Sequence, residues 1–266
     1  MKQQASLLKT QKKIWRKWSI AFRILPVVAI FAVLKFLSHR YSFDIMQLNG
    51  LFTTLVAGTI FLIGFLITGV LADYKESEKI PSEIAASLKS LFDDAYILYK
   101  SRNSEAARQL MAFQKTFVNS LIDWHYKKER TVAILSKVGM MSDYFSAIDK
   151  EGIQPNYIIK MRIEQDKIRN MILRIDTIRD TEFIGSSYAI VEAMWFAIAL
   201  GLVIINIEPF YASLFFTTLV MFLLSYMLLL IKDLDNPFDY YTHGEGGTKI
   251  SLKPVRDLET ALKESV

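Results

Sequence analysis

The sequence predicts an all-α membrane protein with four transmembrane helices in two hairpins and a cytoplasmic helical bundle between the second and third spans. Apolar side chains make up 52% of the 266 residues, which is high for a soluble domain. The sequence contains four long apolar runs, and a single large polar region lies between the second run and the third. That region repeats its apolar residues at helical spacing and nowhere sustains the alternation of a strand.

The first span is predicted over about residues 18–38. The segment before it is basic and has no acidic residue, and Trp15 and Trp18 lie at the junction. A basic flank with interfacial tryptophans is typical of a cytoplasmic entry into the membrane. Arg23 and Lys35 interrupt the apolar run, so its charge-free part is too short to span unaided. We expect both side chains to extend to the membrane surfaces, which makes the longer helix compatible with the bilayer.

The second span is the clearest one. Residues 50–72 contain no ionisable side chain, and 23 residues at about 1.5 Å each cross a hydrocarbon core of roughly 30 Å. A dense charged cluster follows at residues 73–79, and Pro81 then opens a new helical pattern. The chain is therefore expected to leave the membrane here and to begin a water-facing helix.

The two faces of this second helix differ in character. One face is small, weakly polar and carries two phenylalanines, whereas the other is almost wholly branched aliphatic. The first face fits a close helix-to-helix seam, and it equally fits an aqueous path in which the two phenylalanines, one turn apart, form an apolar constriction. In the second interpretation the pore-lining residues are Thr54, Ala57, Phe61, Gly64, Phe65 and Thr68.

Residues 74–185 form the polar region. Acidic and basic residues are nearly balanced there, which argues against a nucleic-acid surface. Helical spacing of apolar residues begins after Ser82, again near Leu110 and a third time near Ile158. Breaks are expected at residues 102–104 and 151–156.

The third and fourth spans are predicted over residues 186–207 and 210–231, joined by a very short turn at Glu208 and Pro209. The resulting segments are 1–73, 74–185, 186–231 and 232–266, with both termini cytoplasmic by the distribution of Lys and Arg. Glu192 lies within the third span, where an ionisable group is by default a functional hypothesis. The alternative is structural: the carboxylate reaches the headgroups or pairs with a basic residue such as Arg179.

The segment after the fourth span is rich in oxygen-bearing side chains. Asp233, Asp235, Asn236 and Asp239 could supply ligands to a divalent cation such as calcium. The alternative is a polar exit turn in which Pro237 stops the helix. A short amphipathic helix is expected over residues 252–266.

Other kinds of site have little support in the sequence. The chain has no cysteine, so disulfides, thiolate metal sites and cysteine nucleophiles are excluded. The three histidines are scattered and are expected to be surface or interface residues. Neither a nucleophile set nor a phosphate loop appears, so we expect a protein that is not an enzyme and needs no cofactor.

The four-span plan resembles the bestrophin channels and the bacterial bestrophin-like membrane proteins. The run 72–88 is similar to the family's exit from its second span, and Asn236-Pro237-Phe238 is similar to its NPF motif. Phe61 and Phe65 are placed, within one residue of register, like the apolar residues of the family's narrow neck. The plan covers most of the chain, whereas these motifs cover about 40 residues.

The resemblance implies an anion-conducting channel of the cell membrane, here a bacterial inner membrane, with second spans from several subunits around one pore. The expected assembly is a homopentamer embedded in membrane lipid. Its expected partners are permeant ions, and we expect no nucleic acid among them. Four spans in one chain are too few to enclose a roomy pore, so the channel requires oligomers. Eukaryotic members follow NPF with a run of acids that binds calcium. Only Asp239 and Glu245 follow it here, so calcium gating is not carried over. The alternative is a membrane-anchored helical scaffold or signalling protein.

Overall fold

The structure is a computed structural model that describes residues 2–180, 185–240 and 248–264, with side chains described from Trp18 onward. Within these residues the chain is almost entirely helical and contains one pair of two-residue strands. The elements are α1 (Lys2–Arg40), β1 (Met46–Gln47), α2 (Gly50–Ser77), α3 (Ile80–Arg102), α4 (Glu105–His125), α5 (Thr131–Lys150), α6 (Pro155–Asp180), α7 (Gly185–Ile204), β2 (Ile205–Asn206), α8 (Phe210–Asp235) and α9 (Lys253–Glu264).

The chain divides into two compact units. The membrane unit comprises Met1–Asp73 and Glu182–Asp235, and the bundle unit comprises Tyr74–Thr181 and Asn236–Val266. The sequence suggested a separate tail from residue 232 onward. In the structure the chain from Asn236 belongs instead to the same unit as the central polar region.

In the part of the chain that the structure describes, four helices are long and apolar enough to cross a membrane, namely α1, α2, α7 and α8. Only 22% to 33% of the residues in their apolar windows are buried within the chain. So much exposed apolar surface is unfavourable in water, which supports a membrane location for these helices. Within the unit, α1 packs mainly against α8 and next against α7. The two predicted hairpins therefore describe the order of the spans along the chain, but they do not describe the packing of the first span, which lies mainly against the fourth.

The membrane unit also contains a short parallel pairing that the sequence did not indicate. Met46 pairs with Ile205 and Gln47 with Asn206, joining the connection before α2 to the residue pair after α7. The pairing joins backbone groups of the two connections at a partly exposed place, since Gln47 and Asn206 are exposed and Ile205 is buried.

In the bundle unit, α3, α4, α5 and α6 pack in a ring, each helix against the next and α6 back against α3. The C-terminal α9 packs on α3 and α4 through Val255, Leu258 and Leu262. The amphipathic tail helix expected from the sequence is thus confirmed. The core consists of apolar side chains from all five helices, such as Leu91, Leu110, Met141, Ile168 and Leu262.

Helix α5 was not predicted. Its buried residues are Ile134, Val138, Met141, Phe145 and Ile148, at alternating spacings of four and three. That spacing is the normal signature of a helix with one buried stripe. The signal was therefore present in the sequence, and the expectation of three helices in the polar region was incomplete.

The predicted breaks of the bundle have clear local causes. Asn103 ends α3 in the left-handed conformation with a φ of 51°, which Asn tolerates better than most residues. Ser104 then caps α4, since its hydroxyl accepts a hydrogen bond of 3.0 Å from the backbone N–H of Ala107. Gly152 adopts a φ of 76° in the second break, and Pro155 begins α6.

Candidate functional site

The six residues predicted to line a pore lie along one side of α2 that the rest of the described chain leaves uncovered. Phe61 is 74% exposed and Phe65 is 68% exposed, although both are large apolar side chains. On the opposite side, Ile63, Leu66 and Val70 are at most 3% exposed. The six residues Thr54, Ala57, Phe61, Gly64, Phe65 and Thr68 are exposed or half-buried. A seam against another helix of the same chain therefore does not explain this face.

The hydroxyl groups on this face are satisfied by their own helix. Thr54 Oγ1 donates to the Gly50 carbonyl at 2.8 Å, and Thr68 Oγ1 donates to the Gly64 carbonyl at 2.9 Å. The face between these threonines has no ionisable side chain. It is therefore neutral, with weakly polar ends and an apolar middle. Such a surface suits a narrow passage controlled by wetting, and it does not suit a fixed-charge filter.

The start of α2 is held in place by a cap and a close helix contact. Asn49 Oδ1 accepts a hydrogen bond of 2.9 Å from the backbone N–H of Phe52, which satisfies one of the open donors of the first turn. The Phe52 ring lies directly on Gly201 of α7. A Cβ at Gly201 would come within 2.3 Å of ring carbon Cε2. The glycine thus allows α2 to approach α7 at this point.

Lys35 does not extend to the membrane surface, contrary to the prediction. Its side chain is completely buried. The ammonium group donates to the Val203 carbonyl at 3.3 Å and also to the Ile205 carbonyl. These carbonyls lie where α7 ends, and the last carbonyls of a helix have no partner within it and attract a cation. Lys35 therefore caps the C-terminal end of α7 from a neighbouring helix.

Glu192 pairs with a different residue from the one suggested by the sequence. Lys232 Nζ donates to Glu192 Oε1, linking α7 to the last turn of α8. Arg179 lies in the bundle unit, 4.6 Å from the centroid of the Trp124 ring, and its Nη2 donates to the His125 carbonyl at 2.9 Å. The proposed pairing of Glu192 with Arg179 is therefore wrong, whereas a structural ion pair for Glu192 is what the structure contains.

The four candidate metal ligands lie at the end of α8 and in the exit turn that follows it. Asp233 lies 3.7 Å from Arg23, and Asp235 is the last residue of α8. The Asn236 carbonyl accepts a hydrogen bond of 2.9 Å from Lys249, and Asp239 follows in the exit turn. Among the described residues no group of three or more His, Cys, Asp and Glu side chains is arranged to hold a metal ion. A metal site here stays a prediction, and Glu245 lies outside the described residues.

The NPF motif is part of the bundle core. Phe238 is completely buried, and the Pro237 carbonyl accepts a hydrogen bond of 3.1 Å from the backbone N–H of Ile250. Helix α8 ends at Asp235, immediately before the motif. The motif therefore works as the predicted exit turn, and its phenylalanine anchors the following chain in the bundle unit.

His125 is also buried, which contradicts its predicted place at a surface or interface. Only 1% of the residue is exposed, and Nδ1 lies 2.7 Å from the Leu121 carbonyl. Burial lowers the pKa of this histidine to about 3, so the ring is neutral at physiological pH. The other two histidines differ: His39 is exposed and lies 2.7 Å from Asp44, and His243 lies outside the described residues.

Comparison with known proteins identifies the fold. No protein-family model and no curated protein sequence matches the chain. Solved structures do match, among them two single-residue variants of a bacterial bestrophin homolog from Klebsiella pneumoniae. Each has a TM-score of 0.74 and 14% sequence identity; one alignment covers 93% of this chain and 99% of the other, and the second covers 92% and 98%. The chain has a bestrophin-like fold.

A third match, described as a variant of a membrane protein, has a TM-score of 0.72 and 14% identity, and covers 93% of this chain and 97% of the other. The structural similarity thus extends over almost the whole chain in each comparison. The resemblance expected from the span plan and two short motifs is confirmed at the level of fold. Identity this low shows the fold alone.

Proposed function

We propose that this bestrophin-like protein is an oligomeric ion channel whose pore is lined by α2. The observation that carries the proposal is the uncovered face of α2, with Phe61 and Phe65 exposed to 74% and 68%. Ile63, Leu66 and Val70 on its other side are buried within the chain, so this face is presented outward. Copies arranged around an axis would bring these faces together.

The chemistry of the face supports a passage for ions. It is free of charge, its threonine hydroxyls bond to their own helix, and no side chain from the described chain lies over Gly64. An apolar constriction formed by facing phenylalanines resists ions by excluding water when it is narrow. In this proposal Phe61 and Phe65 form the narrowest section, and Thr54 and Thr68 lie at its two ends.

The finer assignments rest on the family resemblance. We propose a homopentamer in the bacterial inner membrane, with both termini cytoplasmic and with anions as the permeant species. Calcium is not required in this proposal, because the acidic run that binds it in eukaryotic members is lacking after Phe238. Four candidate spans per chain leave any pore to be completed by neighbouring copies.

Reconstitution tests the proposal directly. Purified protein in liposomes should carry chloride down an imposed gradient, at a rate that rises with the protein-to-lipid ratio and exceeds the leak of protein-free liposomes. Replacing chloride by a large impermeant anion, with sodium retained, separates anion from cation conduction. Flux carried by sodium alone would correct the permeant ion. Absence of flux for both ions would remove the channel and favour a membrane-anchored scaffold.

The assembly needs its own measurement. Native mass spectrometry in mild detergent should show a single multiple of the 30.6 kDa chain, five by the proposal. A monomer or a simple dimer would leave the α2 face without partners to enclose a path and would contradict the pore.

A further inference from the structure

A cleft of about 380 Å³ opens in the membrane unit between α1, α7 and α8, and its lining does not include the α2 face. Its size is within the range of small-molecule pockets. Three charged side chains line it, namely Arg23, Glu192 and Lys232, together with apolar side chains that include Val27, Phe196 and Leu228. The proposed pore uses none of these residues.

The polar side chains of the cleft lie at one end of the helices, and the apolar side chains lie deeper along them. Arg23 is near the start of the predicted first span, Glu192 near the start of the third, and Lys232 just beyond the end of the fourth, so all three are at the predicted cytoplasmic end. Val27 and Phe196 lie one turn deeper on α1 and α7. Ser225 lies seven residues before Lys232, about 10 Å deeper along α8. The cleft therefore has a charged mouth at headgroup level and an apolar interior at acyl-chain level.

The polar groups at the deep end of the cleft are hydrogen-bonded to each other. Trp195 Nε1 donates to Ser225 Oγ at 3.0 Å, so these two polar groups satisfy each other. The Trp195 ring also packs edge-on against Phe31, with centroids 5.7 Å apart. An occupant would meet apolar surface there, as an acyl chain requires.

The charges at the mouth fit a zwitterion. Lys232 pairs with Glu192, and the 3.7 Å separation of Arg23 from Asp233 is longer than a hydrogen bond. Asp233 is not among the residues that line the cleft, but it lies beside Arg23, and with it the two cations are matched by two carboxylates. A phosphodiester can take donors from Arg23 and Lys232, but it would deprive Glu192 of its partner, and an unpaired carboxylate at partial burial is unfavourable. A primary ammonium three bonds beyond the phosphate oxygen would replace that partner.

We propose that this cleft binds one phospholipid with a phosphoethanolamine headgroup, its phosphate held by Arg23 and Lys232 and its ammonium by Glu192. Phosphatidylglycerol offers the phosphate without a cation for Glu192. Phosphatidylcholine offers a cation without N–H donors. The site therefore selects phosphatidylethanolamine over both by the interaction with Glu192.

Native mass spectrometry of the intact protein, titrated with the three lipids carrying identical acyl chains, tests this selection. Wild type should bind phosphatidylethanolamine about tenfold more tightly than the other two, as expected for one charge-assisted hydrogen-bonded pair. Glu192→Gln should bring all three lipids to similar affinity. Lys232→Gln should weaken binding of all three lipids, because each carries the phosphodiester.

Glu208→Gln is the matched control. It makes the same substitution in an exposed residue of the turn that joins the outer ends of α7 and α8, and it should leave the lipid preference unchanged. Glu192→Asp keeps the carboxylate and should retain part of the preference, which separates a headgroup contact from a general loss of structure. Equal binding of the three lipids by wild type, or a preference that survives in Glu192→Gln, would overturn the proposal. An absence of bound lipid in wild type would overturn it as well.

Discussion

Replacing the buried lysine of α1 by methionine should destabilise the membrane unit strongly. Lys35→Met keeps the length and apolar stem of the side chain and removes its N–H donors. The Val203 and Ile205 carbonyls then lose a charged donor in a place where the lysine is completely buried. Water has little access to such a site and cannot replace the lost hydrogen bonds.

The size of the effect follows from two opposed contributions. Each of the two carbonyls that loses its charged donor costs about 1.5–3 kcal/mol, or about 3–6 kcal/mol together. Removing the ammonium also removes the cost of burying it, which offsets part of this loss. We expect a net loss of about 2–4 kcal/mol, which corresponds to a decrease in Tm of roughly 5–15 °C for a protein of this size.

Thermal unfolding in detergent, followed by circular dichroism, measures this decrease. Lys150→Met makes the same substitution at an exposed position in the last turn of α5 and should shift Tm by no more than about 2 °C. Equal values of Tm for the two variants would refute the reasoning. That result would mean that the Lys35 ammonium reaches a membrane surface and does not cap α7.

Three further expectations concern topology, packing and pH. In this cysteine-free chain, Ser42→Cys should react with an impermeant thiol reagent added outside intact cells and Ser101→Cys should not; labelling of the second would reverse the topology. Gly201→Ala should lower the free energy of unfolding by about 1–3 kcal/mol in a thermal unfolding experiment, because its methyl group meets a ring carbon of Phe52 at 2.3 Å. Gly64→Ala is the control: its methyl group meets nothing within 4 Å in the single chain, and the Tm of the dissociated monomer should be unchanged. The pKa of His125 falls from 6.5 unfolded to about 3 folded, so its contribution to stability is complete above pH 6.5 and declines as the pH falls towards 3. Between pH 7 and 5 the loss should be about 2 kcal/mol, and His125→Gln should unfold with that part of the pH dependence removed.

The second and fourth spans were predictable because a membrane imposes a simple constraint on sequence. A helix that satisfies its own backbone and carries no charge over more than 20 residues has few alternatives to crossing the bilayer. The same reasoning placed Phe61 and Phe65 on one face of α2, since helical periodicity fixes which side chains share a side. Both phenylalanines are exposed together in the structure. The function of that face remains a prediction.

Contacts between residues far apart in the chain could not be predicted in the same way. Lys35 bonds to carbonyls 168 and 170 residues away, and without a partner in view an extended side chain was the reasonable expectation. Glu192 pairs across 40 residues with Lys232, where the sequence offered several bases at similar depth. The burial of His125 depends on how α4 meets the chain after α8, with the Tyr240 ring 6.2 Å away. The pattern of apolar and polar residues carries no information on such long-range contacts.

Single-channel recording in a planar bilayer tests the assignment of the pore most directly. Phe61→Ala combined with Phe65→Ala removes both exposed rings from the α2 face, which should widen and wet the constriction and raise conductance or hold the channel open. Phe215→Ala combined with Phe216→Ala removes two rings of α8 that are 59% and 49% exposed, and at matched oligomer content its conductance should equal that of wild type. Unchanged conductance in the α2 variant, measured beside intact oligomers, would contradict the pore.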